Sequence, residues 1–185
     1  MRRVAERLSV PPSKLDSSLE DQVGAGQFGA VPPARHLLVD GANILHAWPE
    51  LHRLLARDRD AARSQLVQAL CAVHDAEGWR VTVVFDGRGP ELLFEQPGAA
   101  ATFAVVYTPS SLTADDVIEQ LVAKSALAAE CVVATGDVGE RRTVESLGAT
   151  VCPPEQLREW CANATRRQSA KLEALRGISE KAWRR

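Results

Sequence analysis

Aromatic side chains are scarce, at 5 % of 185 residues with a single tyrosine. Sequence-specific reading of single-stranded nucleic acid by base stacking therefore has little to work with. The four cysteines, Cys71, Cys131, Cys152 and Cys161, form no CxxC pair and have no histidine at zinc-finger spacing. That pattern favours buried or partly buried thiols in a reducing cytoplasm over a metal site. No apolar run approaches a membrane span, and the opening MRRVAERLSVPPSK has basic residues without the apolar stretch of a secretory signal. The expectation is a cytoplasmic protein with no membrane partner. Charge is lacking too: a net −2 gives no global attraction to nucleic acid, so any such binding must come from a local patch. Internal repeats are absent. GAGQFG at 24–29 has the spacing of a dinucleotide fingerprint, but SSLEDQV before it is no strand and AVPPA after it opens no helix. Without both elements a pyrophosphate has nowhere to bind, so a dinucleotide cofactor is not expected.

What is present is ordinary globular material, 45 % apolar and 25 % charged, at a length that suits one domain with extensions. Residues 1–35 hold four prolines and no sustained period, and read as a flexible extension with a short helix near Lys14–Gln22. From 36 onward apolar runs alternate with helical patterns. HLLVD, VTVVFD (81–86), FAVVYT (103–108), CVVATGD (131–137) and ATVC read as strands. Helices are expected over 59–76 with Gly78 as the stop, from Thr113, over ERRTVESLG closed by Gly148, and after the prolines at 153–154. GRGPELLFEQPGAA at 87–100 reads as an irregular insertion. Strands alternating with helices predict an α/β fold, a mostly parallel sheet flanked by helices and joined by right-handed crossovers. The organisation expected is an extension at 1–35, a domain at 36–165 and a basic helical tail at 166–185.

The strand ends carry the chemistry. LLVDGANILHAWP runs an apolar strand into Asp40, with Asn43 just beyond; Asp86 ends VTVVFD and Asp137 ends CVVATGD. Asp115 and Asp116 open the helix after FAVVYT, and Glu119 follows on the same face. Ligands on parallel sheets gather beyond the carboxyl ends of the strands, so the fold delivers these acids to one edge. Each acid alone has a structural account. Asp40 suits a turn, Thr113 with Asp116 a capping-box variant, and Asp137 a helix cap. As a set they repel one another, which only cations or protonation relieve, and all-oxygen clusters suit Mg²⁺ or Mn²⁺.

LLVDGANILHAWPEL, AARSQLVQAL, GWRVTVVFDG, SLTADDVIEQLV and VVATGDVGERRTVESLGATV, in that order, resemble the YacP-like branch of the NYN domains, which are PIN-like ribonucleases. The resemblance spans about residues 36–165. It implies a Rossmann-like PIN fold and a metal-dependent endoribonuclease in which activated water attacks the phosphodiester and leaves 5′-phosphate products. It further implies that Asp40, Asp115, Asp116 and Asp137 bind Mg²⁺ or Mn²⁺, with Asn43 beside Asp40, and that Asp86 is a feature of this branch that binds through water or orients other groups. Departures are mild: Ala42 stands where the family often has an aromatic, and Gly136 where it usually has serine. RNA is the implied partner; whether it is mRNA, and whether cleavage occurs on ribosomes, the resemblance leaves open. No histidine is needed as a base, and His46 and His52 read as surface or packing residues.

Phosphates need cations away from the acidic edge. From Arg158 onward eight Lys and Arg stand against three Glu, an excess of +5, and Arg166 and Arg167 lie in this segment. Arg63 and the pair Arg141 and Arg142 are further candidates for salt-dependent, sequence-blind phosphate binding. Among rivals, an aspartyl-nucleophile phosphatase wants a second aspartate where Ala42 stands. A non-catalytic RNA- or ribosome-binding module of the same fold is the alternative from another class.

Overall fold

The computed structural model describes residues 35–97 and 100–183. The expected extension, its short helix and the GAGQFG motif lie outside the described residues. The elements run β1 (His36–Asp40), α1 (Gly41–Ala47), α2 (Pro49–Leu55), α3 (Arg59–Glu77), β2 (Arg80–Gly89), β3 (Leu93–Glu95), β4 (Phe103–Pro109), α4 (Ala114–Lys124), β5 (Cys131–Ala134), α5 (Val138–Ser146), β6 (Thr150–Cys152) and α6 (Pro154–Trp183). The six strands form one sheet in the order β3-β4-β2-β1-β5-β6. All pairs are parallel except β3, which runs antiparallel to β4. The chain builds outward from β1 through β2 to β4, then crosses back to β5 on the other side of β1. The strand order therefore reverses at the β1–β5 boundary, where the open crevice of such sheets lies.

Alternation along the strands assigns the two cores. Leu37 and Val39 of β1, with Val81, Val83 and Phe85 of β2, pack under α1, α2, α3 and α6. Leu38, Val84, Val106 and Val133 face the opposite way, under α4 and α5. Each large apolar side chain so buried contributes about 1.5–3 kcal/mol. Since successive side chains alternate, Asp40 shares the face of Leu38, and Asp86 shares that of Val84. Both acids thus project toward the α4–α5 side of the sheet.

The helix signals read from sequence hold at most ends. Asp58 caps α3 through a bond from the Ala61 N–H, and Gly78 closes it at φ 67°. Gly148 takes φ 96° after α5. Thr113 and Asp116 form a full capping box on α4. Three boundaries differ. β2 continues past Asp86 through a bulge to Gly89, which pairs with Pro109. The insertion at 87–100 contains β3, a short edge strand with all three residues exposed, so it carried no apolar alternation to reveal it. β5 stops at Ala134, because Thr135–Asp137 turn to cap α5. No helix among the described residues is long and apolar enough to cross a membrane.

Gly41 opens α1 in helical rather than left-handed backbone, so a tight turn is not what requires it. The requirement is space: a Cβ there would lie 2.2 Å from a ring carbon of Phe85, which is 1 % exposed and cannot swing away. Gly41→Ala should therefore destabilise the fold by about 1–3 kcal/mol through overpacking. Gly78→Ala, where nothing lies within 4 Å of the added methyl and only φ is strained, should cost about 1 kcal/mol. Urea unfolding midpoints of the two variants measure this difference, and equal losses would refute the steric account.

Candidate metal centre

Asp40 sits at the end of β1, 6 % exposed. Its Oδ1 accepts the Asn43 N–H at 3.0 Å, so it caps α1 as an N-cap aspartate should. Asn43 passes the connection on: its Oδ1 accepts the Gly136 N–H at 2.7 Å, tying the end of β1 to the turn after β5. Across the crevice, Asp137 caps α5, its Oδ1 accepting the N–H groups of Gly139 at 2.7 Å and Glu140 at 3.0 Å.

Three carboxylates then converge. One oxygen each of Asp40, Asp115 and Glu140 lie within 4.8 Å of one another. They come from the end of β1, the first turn of α4 and the first turn of α5. Glu140 was not singled out by sequence, since it stands three residues after the cap Asp137, where a glutamate normally reaches back to the cap's own N–H. Here the Thr135 hydroxyl accepts that N–H instead, at 3.1 Å. Glu140 is left 2 % exposed with neither carboxylate oxygen hydrogen-bonded. The Thr135 hydroxyl favours its charged form from close by without meeting hydrogen-bond geometry. A buried polar group in that condition costs about 1–3 kcal/mol, and more when charged.

Electrostatics register the crowding. Burial, with repulsion from Asp40, Asp115 and Asp137, pushes the Glu140 carboxyl up to about 8. Burial also raises Asp40 to about 6, with Asp115 and Asp86 adding to it and the Asn43 N–H opposing. Asp115 is raised by burial first, then by Asp137, Asp86, Glu119 and Asp116. A divalent cation would relieve all three at once. Orphaned oxygens on Glu140, two further carboxylates and no nitrogen or sulfur in the cluster fit a hard ion such as Mg²⁺ or Mn²⁺.

The other acids have different placements. Asp116 is exposed, and its Oδ2 accepts the Thr113 N–H at 3.1 Å to complete the capping box. Asp86 is exposed too, its Oδ1 accepting the Ala114 N–H at 2.9 Å, which fixes the start of α4 and hence Asp115. Asp137 lies near enough to raise Asp115 and Glu140, while one of its oxygens serves the α5 cap. Among the cations, Arg141 and Arg142 follow Glu140 on α5, and Arg63 touches the Asp86 carbonyl at 3.4 Å. Arg166 bonds Asn163 on its own helix, and Arg167 pairs with Glu77. Glu77 ends α3, whose other end lies by Asp86. A 19-residue helix is about 27 Å from first to last residue. The structure therefore does not bring Arg167 to the acidic edge. His46 and His52 are exposed and meet edge-on at 5.4 Å.

Comparison with known proteins follows the same lines. The model of the YacP-like NYN domain matches residues 37–184. The uncharacterized protein YacP of Bacillus subtilis is 37 % identical over 114 residues, which span 61 % of this chain and 66 % of its own length. Two crystal structures of Rae1 (YacP) from Bacillus subtilis, one of a single-residue mutant, are 30 % identical to this chain. They superpose with TM-scores of 0.66 and 0.67 over 79 % of this chain and over 88 % and 84 % of theirs.

The buried carboxylates give a pH signature. A group whose carboxyl is raised in the fold binds more protons native than unfolded, so stability is present at low pH and falls as pH rises through the raised value. His36 acts in the opposite sense: burial, then Arg80, lowers it to about 4, so its contribution is lost as pH falls below its ordinary value of about 6.5. Between about pH 6.5 and 8 His36 is neutral in the fold and increasingly so when unfolded, and Glu140 dominates. Chelator-treated protein should lose about 1–2 kcal/mol of stability across that window, and Glu140→Gln should flatten the slope. Urea denaturation at several pH values checks it; a wild-type slope unchanged by the substitution would contradict the account.

Proposed function

The chain belongs to the YacP-like NYN domain family, and from that membership and its buried carboxylates we propose that it is a metal-dependent endoribonuclease. The observation that carries the reading is Glu140, buried with both oxygens unpartnered beside Asp40 and Asp115. A site without an ion has no reason to crowd three mutually repelling carboxylates and hold two of them out of water, whereas a cation makes that arrangement favourable. Mg²⁺ or Mn²⁺, held by these residues, would supply the positive charge that acidifies an attacking water and offsets the charge of a phosphodiester.

The residues divide the work. Asp40, Asp115 and Glu140 would hold the ion. Asp86 fixes the first turn of α4 and so places Asp115; Asp137 does the same for α5 and Glu140, and its charge acts on both Asp115 and Glu140. Asn43 locks the two sides of the crevice at a constant separation through Gly136. Asp116, at the rim, contributes charge that draws cations inward and holds the α4 cap. Arg63, Arg141 and Arg142 would take the phosphates that flank a cut bond. Water as the nucleophile leaves 5′-phosphate ends, which separates this chemistry from cleavage by the ribose 2′-hydroxyl. Ribosome-bound mRNA is the narrowest form of the reading, and the exposed basic residues of α6, Arg166, Lys171 and Arg176 among them, are the surface it would use.

The non-catalytic alternative, an RNA-binding module on the same fold, predicts that acidic-site substitutions leave RNA binding intact and change nothing else. Wild-type protein incubated with a long RNA should instead cleave it with Mn²⁺ and not with chelator. Asp40→Asn and Glu140→Gln should each lower the rate by the roughly hundredfold or more that loss of one transition-state stabiliser costs, with far-UV circular dichroism unchanged. Cleavage by either variant at the wild-type rate would sink the assignment.

A further inference from the structure

Arg63 is held in an unusual way for a surface cation. Its guanidinium lies 5.2 Å over the ring of Phe85 and 5.3 Å over that of Tyr107, and those two rings stack at 5.7 Å and 22°. Its charged contacts are poor. The Asp60 carboxylate is 3.8 Å away and 93 % exposed, and the Asp86 carbonyl is at 3.4 Å. Its Nε is buried with no hydrogen-bond partner. Packing on an aromatic shelf, not a counter-ion, therefore fixes this cation, and its donors are left for another acceptor. Arg59 stands nearby as the first residue of α3, at the positive end of the helix dipole, where stability alone disfavours a cation.

Two clefts meet at this pair. One of about 140 Å³ runs along His46, Leu55 and Phe85; the other, of about 300 Å³, lies against Tyr107 and Leu93. Both are bordered by Arg59, Arg63 and Asp86. Through Asp86 they adjoin the acidic cluster, since its charge acts on Asp40 and Asp115. The larger cleft has two glycines, Gly87 and Gly89, in its wall, with the exposed Glu91 at its border. It also has the chain's only tyrosine and an exposed leucine of β3. An apolar ligand would leave two arginines unanswered. A bare anion would answer them and leave the Tyr107–Leu93 side empty. An anionic group joined to a flat, largely apolar ring satisfies both.

We propose that this cleft is a nucleotide subsite of the ribonuclease reading above, on which the proposal rests. It takes the nucleotide next to the cut bond, with its phosphate on Arg59 and Arg63 and its base against Tyr107 and Leu93. The single-stranded RNA then runs from the α3 side of the sheet edge across Asp86 to the carboxylates. The subsite gives the enzyme a position at which base identity affects affinity, on a chain otherwise poor in aromatic surface.

Equilibrium binding of a short fluorescein-labelled single-stranded RNA to the full chain tests this, with Asp40→Asn in every protein so that RNA is not cut. Arg59→Ser should weaken binding about tenfold and reduce the salt dependence by about one phosphate contact. Tyr107→Leu should weaken binding by a similar factor with the salt dependence unchanged, Leu93→Glu should weaken it at least as much, and both should abolish the quenching of a 2-aminopurine placed in the subsite. Arg63→Lys should keep the salt dependence and lose affinity, because ammonium cannot lie flat on the rings. Arg59 and Leu93 are exposed, so their variants should fold, and unfolding midpoints confirm it. Wild-type-like binding by both Arg59→Ser and Leu93→Glu would overturn the subsite and leave the nuclease reading standing. No RNA binding by the parent would overturn both.

Discussion

Holding Asp40 and Glu140 almost wholly out of water, within reach of Asp115, opposes folding. Charges in low dielectric lose hydration, and like charges add repulsion. Such a cluster persists only where the surrounding structure dictates every position in it. That is the case here. Asp40 is placed by strand alternation, Asp115 by the Asp86 bond to the start of α4, and Glu140 by the Asp137 cap of α5. The apolar layers under α4 and α5 supply the stability that offsets the strain, and they are continuous with the strands that bear the acids.

The capping interactions have a second consequence. A helix N-cap normally stabilises the helix by satisfying its free N–H groups. At α1 and α5 the N-caps are acids on the same sheet edge, and at α4 Asp86 accepts the Ala114 N–H beside the Thr113 cap, so each bond that starts a helix also fixes the direction of a carboxylate. The swap at α5 is the most informative. Thr135 takes the Asp137 N–H, and that displaced bond leaves the Glu140 oxygens without a hydrogen bond to the cap. One hydroxyl thus converts an ordinary capping residue into an available ligand.

Much of this was legible in the sequence, and the reasons for the remainder are physical. Strands with apolar runs, the glycine stops at Gly78 and Gly148, and the Thr113–Asp116 box follow local rules and were read from them. The acidic edge was readable because parallel strands all end on one side. Glu140 was not, because its role depends on which acceptor wins the Asp137 N–H, and sequence spacing points to the wrong one. β3 was missed because an exposed edge strand needs no apolar pattern. Arg166 and Arg167 looked like free cations, but the former bonds along its own helix and the latter is pinned to Glu77 by how α6 lies on α3. Arg63 was read as a cation facing phosphate; its seat on Phe85 and Tyr107 depends on packing between residues far apart in the chain.

The indole N–H of Trp48 donates to the Pro154 carbonyl at 2.9 Å, in buried surroundings and across 106 residues. Together with the Asn43–Gly136 bond, across 93 residues, it joins the first βα junction to the turn after β5 and the start of α6. Contacts of such separation form late, because closing the long loops costs entropy before any contact rewards it. The three carboxylates, carried by β1, α4 and α5, meet only where those elements have packed together.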